Sequence, residues 1–133
     1  VGPADPAALA RLPHGEEARL LTAAWSEPGS GTARGVREPA LPDARANGAG
    51  YLPQSLLVEM MGQTAGLALP SGSGGALVAR IERLHLHRAA RGGERVEVEA
   101  RLVRQVGRVF VFRCRAESSG LLLAHGSIAL RAL

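Results

Sequence analysis

Glu59 is the residue of this chain that most needs a chemical explanation. It sits in Leu52–Leu69, Leu-Pro-Gln-Ser-Leu-Leu-Val-Glu-Met-Met-Gly-Gln-Thr-Ala-Gly-Leu-Ala-Leu, where only Glu59, Gln63 and Thr64 are polar after Ser55. A carboxylate amid Leu, Val and Met is costly to bury charged and tends to hold its proton. Such a group can give or take a proton in a reaction. Gln63 stands one helical turn on, on the same face, where it can orient the carboxylate.

The other reactive side chains give weaker signals. His85 and His87 alternate with Leu84 and Leu86, so both point to one face of a strand. That spacing can hold a metal ion, but the sequence offers no third ligand beside them, and they read as surface histidines. No role is assigned to His125 in the last strand. His14 reads as a structural residue at a turn. Cys114 alternates in phase with Phe110 and Phe112, which marks it as core rather than nucleophile. It is the only cysteine, which excludes a disulfide framework and a cysteine-built metal site. The Gly-rich stretch Ser71–Gly75 lacks a following Gly-Lys-Ser/Thr and reads as a connector, not a phosphate loop. Arg88 and Arg91 precede a turn and are candidate contacts for a phosphate or an acidic partner.

These residues have to be positioned by a small set of elements. Pro53 opens the apolar segment, Ser55 can cap it, and a helix without a charged face is expected to be buried. Strands are expected over Ala18–Trp25 and Ala33–Arg37, joined by the Pro-Gly-Ser-Gly turn inside Glu27–Thr32. After the helix, strands are expected over Leu77–His87, Arg95–Arg104, Val109–Glu117 and Leu121–Leu133, running as a meander. The alternation in Leu77–His87 shifts phase near Glu82-Arg83, which predicts a bulge. Val96, Val98, Ala100 and Leu102 face one way while Arg95, Glu97, Glu99 and Arg101 face the other. One apolar helix and one amphipathic sheet pack most economically when the antiparallel sheet curls round the helix. That is an α+β hotdog fold. Residues 1–133 are expected to form a single hotdog domain with 1–13 as an N-terminal arm, and its open sheet edge predicts a dimer.

Charge and composition narrow the partners. The formal net charge is +4, all of the basic residues are arginine, and they are spread along the chain without aromatic interleaving. That does not favour nucleic acid as a partner. The apolar stretches are too short to span a bilayer, and no basic-then-apolar leader opens the chain, so a soluble cytoplasmic protein is expected.

Leu12-Pro13-His14 with Leu20-Leu21, the segment Leu52-Pro53 followed by Leu56–Gly66, Val78-Ala79-Arg80-Ile81 and Gly92–Val96 together resemble the acyl-carrier-protein (ACP) 3-hydroxyacyl dehydratases over nearly the whole chain. The resemblance implies that Glu59 is the helix carboxylate that assists loss of the hydroxyl. It also implies a catalytic histidine in a loop before the helix, meeting the carboxylate across a dimer interface. Here Arg45 stands at that place, and no histidine occurs between His14 and His85. The family's glycine after the helix proline, whose N–H polarises the thioester carbonyl, is Gln54. The stretch Asn47–Pro53 is more similar to the histidine-deficient accessory dehydratase-like proteins of aryl-polyene and related polyketide pathways.

What the resemblance implies is a dehydratase-like subunit acting on 3-hydroxyacyl-ACP thioesters in fatty-acid or polyketide biosynthesis, as the histidine-lacking half of a heterodimer. The expected site is catalytic Glu59, substrate-binding Gln54 and Gln63, and Arg88 and Arg91 toward phosphopantetheine or the carrier. No metal or resident cofactor is expected, since the substrate rides on the carrier's phosphopantetheine. The expected partners are a histidine-containing dehydratase subunit or a second copy of this chain, and an acyl carrier protein. Two alternatives stay open: a hotdog acyl-thioesterase in which Glu59 activates water, and a non-catalytic subunit that binds acyl chains or stabilises a partner.

Overall fold

A computed structural model describes residues 6–10, 20–26, 30–38, 50–70 and 75–133. His14, Arg45 and its loop, the connector over 71–74, the turn at 27–29 and most of the N-terminal arm lie outside the described residues. The elements are α1 (Pro6–Ala10), β1 (Ala23–Ser26), β2 (Thr32–Arg37), α2 (Gln54–Leu67), β3 (Ala76–Leu86), β4 (Val96–Val106), β5 (Val109–Ser118) and β6 (Leu121–Ala132). The strands form one six-stranded sheet in the order β1-β2-β4-β5-β6-β3, with every neighbouring pair antiparallel.

This order corrects the expected meander. Of the four strands after α2, only β4, β5 and β6 run consecutively. The strand after the helix does not pair with β4; it joins β6 at the far edge, while β4 pairs with β2. The chain thus reaches one edge, crosses under the sheet through α2, and restarts at the other.

The inner face of the sheet carries Val96, Val98 and Ala100 of β4, Phe110, Phe112, Cys114 and Ala116 of β5, and Ile128 and Leu130 of β6, all buried. Leu57, Met60, Met61, Ala65 and Leu67 of α2 complete the core. With two phenylalanines in the chain, volume comes from aliphatic and sulfur side chains. Ala8 of α1 and Leu20 and Leu21 before β1 close one end. A single glycine sets how close the helix comes to β2. A Cβ on Gly35 would lie 2.7 Å from Thr64 Oγ1 and 2.8 Å from the Leu21 methyls, so any side chain there forces those groups to shift.

The helix is not buried all round. Leu57, Met60, Met61, Gln63, Thr64, Ala65 and Leu67 face the sheet. Ser55 and Glu59 are exposed, and Val58, Gly62 and Gly66 are only partly covered. These five share one stripe, since residues three and four apart on a helix are neighbours. The expectation of a deeply buried Glu59 is corrected: within one chain the carboxylate meets solvent, because the sheet curls round only one side of the helix. Ser55 does not cap α2. Pro53 is the N-cap residue, with no side-chain cap, and its carbonyl accepts the Leu56 N–H at 3.0 Å.

The phase shift in β3 is present. Glu82 pairs with Ser127 and His85 with His125, so two residues of β3 face one of β6. Arg83 takes the extra place at φ 51°. Gly126 makes room for it, since a Cβ there would lie 3.1 Å from the Leu84 backbone.

Candidate active site on the central helix

Gln63 is the anchor of the site. Its side chain is buried, and its Oε1 accepts the Leu20 N–H at 3.0 Å. Because Leu20 is a donor, the amide oxygen must face it, and that leaves Nε2 pointing the other way. Nε2 donates to Glu59 Oε1 at 3.3 Å. One end of Gln63 is therefore fixed to the entry of β1 and the other holds the carboxylate one turn away. The expected pairing of Glu59 with Gln63 is present. The Leu20 backbone was not legible, because a main-chain donor leaves no mark in the sequence. Thr64, the third polar residue, turns its hydroxyl back to the Met60 carbonyl at 2.8 Å and leaves the helix backbone satisfied.

The N-terminus of α2 is tied to the connection between β3 and β4. Leu52 N donates to the Ala90 carbonyl at 2.7 Å and Gly92 N to the Gly50 carbonyl at 2.8 Å, on either side of the Tyr51–Arg91 bridge. Gln54 opens the helix just beyond and is exposed. Its N–H belongs to the first turn, where backbone donors have no partner within the helix and the helix dipole favours negative charge.

The two candidate arginines prove unequal. Arg88 donates from Nη1 and Nη2 to Glu94 at 3.0 and 2.9 Å, and also reaches the Ala89 carbonyl. That fork raises the Arg88 pKa and holds the Glu94 carboxyl below its ordinary range. Glu94 also accepts the Arg91 N–H at 2.6 Å, which closes the turn. Arg88 is thus committed to an internal pair. Arg91 is exposed, and its guanidinium stands 5.4 Å from the centroid of the Tyr51 ring. The bridge to Tyr51 thereby brings Arg91 to the mouth of α2, whereas Glu59 lies more than a turn farther along the helix.

Cys114 is buried on the inner face, with Sγ 3.9 Å from the Met61 carbonyl, and burial pushes its thiol up to about 12. It cannot serve as a thiolate nucleophile at neutral pH.

Residues 54–124, which run from the first residue of α2 through β3, β4 and β5 into the start of β6, match the Thioesterase superfamily. The chain belongs to that superfamily. Its fold is the hotdog: an antiparallel six-stranded sheet packed around one helix. Within the superfamily its relatives include the 3-hydroxyacyl-[acyl-carrier-protein] dehydratases FabZ. The protein of that name from Rhizobium johnstonii is 30% identical over 125 residues, 88% of this chain and 81% of the relative. The one from Agrobacterium fabrum is 38% identical over 81 residues, a match that spans 58% of this chain and 53% of that protein. Among solved structures, the dehydratase heterocomplex ApeI:P from Xenorhabdus doucetiae contains a chain that superposes with a TM-score of 0.78 at 17% identity, covering 92% of this chain and 88% of that one. No helix among the described residues is long and apolar enough to cross a membrane.

Proposed function

We propose that this chain is the carboxylate-bearing subunit of a heterodimeric 3-hydroxyacyl-ACP dehydratase, acting in fatty-acid or polyketide biosynthesis beside a partner that supplies the histidine. The observation that carries this reading is the state of Glu59. It is held by Gln63 yet stands on a helix stripe that its own chain leaves open. A carboxylate pre-positioned toward an uncovered face suits a site completed by another subunit. The sequence supplies no histidine between His14 and His85, so in this reading the base comes from the partner. The FabZ relatives and the likeness to a dehydratase heterocomplex support the same assignment.

In this scheme a partner histidine removes the proton beside the thioester carbonyl. The first-turn N–H of Gln54 faces the developing enolate oxygen, and Glu59 protonates the departing hydroxyl. Gln63 holds the carboxyl in line. Arg91, beside Tyr51 at the mouth of the helix, meets the phosphate of the phosphopantetheine arm or the acidic carrier.

The edge strand supports assembly. β3 is an eleven-residue edge with Leu77, Val78, Ile81 and Leu86 exposed at 40–60%. A long apolar edge invites pairing with another strand, such as that of a related subunit.

The test is steady-state dehydration of a 3-hydroxyacyl-ACP by this chain reconstituted with a histidine-bearing dehydratase. Glu59→Gln keeps shape and hydrogen bonding, so assembly should persist while the rate falls roughly a hundredfold or more, the usual scale for an acid/base group. A wild-type rate in that complex would assign the chemistry to the partner's own carboxylate.

The superfamily match favours a second reading, an acyl-thioesterase in which Glu59 activates water. Hydrolysis of acyl-CoA or acyl-ACP by the isolated chain, lost in Glu59→Gln, would select it over the dehydratase.

A further inference from the structure

Three of the four histidines meet on the outer face of the sheet, the side away from α2. His85 pairs directly with His125 across β3 and β6. Ring centroids lie 4.8 Å apart for His85 and His125, 5.0 Å for His87 and His125, and 6.5 Å for His85 and His87. His85 and His87 are exposed and His125 is half-buried.

The β3 bulge creates this cluster. Glu82 pairs with Ser127, and Ser127 lies opposite Arg113 on the outer face. In a regular strand the outer positions after Glu82 would be Leu84 and Leu86, and both histidines would point inward. The extra residue at Arg83 reverses that phase and puts His85 and His87 outside, beside His125. A non-glycine residue at positive φ carries a cost. The register change it produces gathers three imidazoles on one surface.

We propose that His85, His87 and His125 form a binding site for one divalent transition-metal ion of the zinc type. Three imidazoles with a fourth position open to water are a recurrent zinc donor set. With metal–nitrogen bonds of about 2.0–2.1 Å, three ring centroids around one tetrahedral ion stand about 5 Å from one another. Two of the three observed separations already match that spacing, and the third exceeds it by about 1.5 Å. The rings stack at interplanar angles of 24–27°, and in these side-chain conformations no group of three His, Cys, Asp or Glu among the described residues is placed to hold a metal ion. Binding therefore requires the imidazoles to turn about their own side-chain torsions until three nitrogens converge. The side chains of His85 and His87 are exposed, which gives them room to turn. A groove of about 460 Å³ lined by Glu99, Arg101, Arg113, Arg115, Leu122 and others has His125 in its wall. Arg115, opposite His125, is the nearest cation; it forms an ion pair with Glu117 at 3.4 Å.

The site lies on the opposite face of the sheet from Glu59, so it stands or falls independently of the dehydratase reading. The test uses tag-free protein stripped with a chelator. Zinc is titrated against a chromophoric competitor, and cobalt is titrated in parallel to read coordination geometry from its visible absorption. One ion per chain is expected, with a tetrahedral or five-coordinate cobalt spectrum. His125→Gln should weaken binding by at least the roughly 10–100-fold that loss even of an outer-shell partner costs a metal site. His87→Gln should do the same, and His14→Gln should not. Circular dichroism and thermal melting confirm that the variants are folded; the altered side chains are at the surface. Absence of a one-to-one zinc complex, an octahedral cobalt spectrum, or binding unchanged in His125→Gln would each overturn the proposal.

Discussion

Gln63 carries Glu59 on one end of its amide and the backbone of Leu20 on the other. The carboxylate is therefore coupled to the strand entry that flanks the helix, not only to the helix on which it rides. Replacing Gln63 by Leu keeps the volume but removes the acceptor for the buried Leu20 N–H. A buried donor left without a partner costs about 1–3 kcal/mol. Urea titration should show that loss, and the reconstituted complex should lose rate as well, since Glu59 is no longer held.

Gly35 fixes the distance between β2 and α2. Gly35→Ala places a methyl within 2.7–2.8 Å of Thr64 Oγ1 and the Leu21 side chain, so both must shift to admit it. Overpacking of this kind costs about 1–3 kcal/mol. Thermal melting of the variant should show it, and Gly35→Ala combined with Thr64→Ser should recover little, because Oγ1 is still present.

The Arg88–Glu94 fork gives stability a defined pH dependence. Glu94 is held below its ordinary value of 4.5 by the hydrogen bond from Arg88, then by the Arg91 N–H. A carboxyl with a depressed folded pKa stabilises the fold above the unfolded value and loses that contribution as pH falls through the folded one. Glu94→Gln should therefore cost about 1 kcal/mol at pH 7, a figure reduced by the partial exposure of both side chains. The gap between variant and wild type should close as pH falls from 4.5 through the lower folded value. A gap that stays constant with pH would mean that the pair holds the turn by shape alone.

Cys114 should be silent in the folded protein. With its thiol pushed up to about 12 and buried, alkylation by iodoacetamide at pH 8 should be negligible without denaturant and complete with it. Mass spectrometry of the intact chain reads this directly, and the rate in native buffer reports opening of the core.

The strands were legible because their inner and outer residues alternate cleanly. Val96–Ala100 and Phe110–Ala116 show two-residue periodicity, and both lie in strands with the expected face inward. The bulge at Arg83 was legible for the same reason, as a break in that period. The order of strands was not, because alternation says which face a residue takes and nothing about which neighbour its strand finds. β3 was therefore expected beside β4. The exposure of Glu59 was missed for a related reason. An apolar helix sequence states that its faces leave water, but not whether its own sheet or another subunit covers them. Gln63 beside Glu59 was read from helical spacing, whereas Glu94 as the partner of Arg88, six residues on across a turn, had no periodic signal.

The position of β3 at the sheet edge beside β6 also governs the order of assembly. Its partners lie in residues 124–132, between 38 (Leu86 to Ala124) and 56 (Ala76 to Ala132) residues later in the chain. Contacts of such separation are formed late, since loop closure comes before any pairing energy returns. As the chain emerges from a ribosome, β3 has to wait, apolar and unpaired, until β4 and β5 have been made and β6 follows. During that interval Leu77, Val78 and Ile81 present a bare strand to any other bare strand nearby. Speed of synthesis through β4 and β5, and the local abundance of a pairing subunit, therefore bear on yield independently of the final stability of the fold.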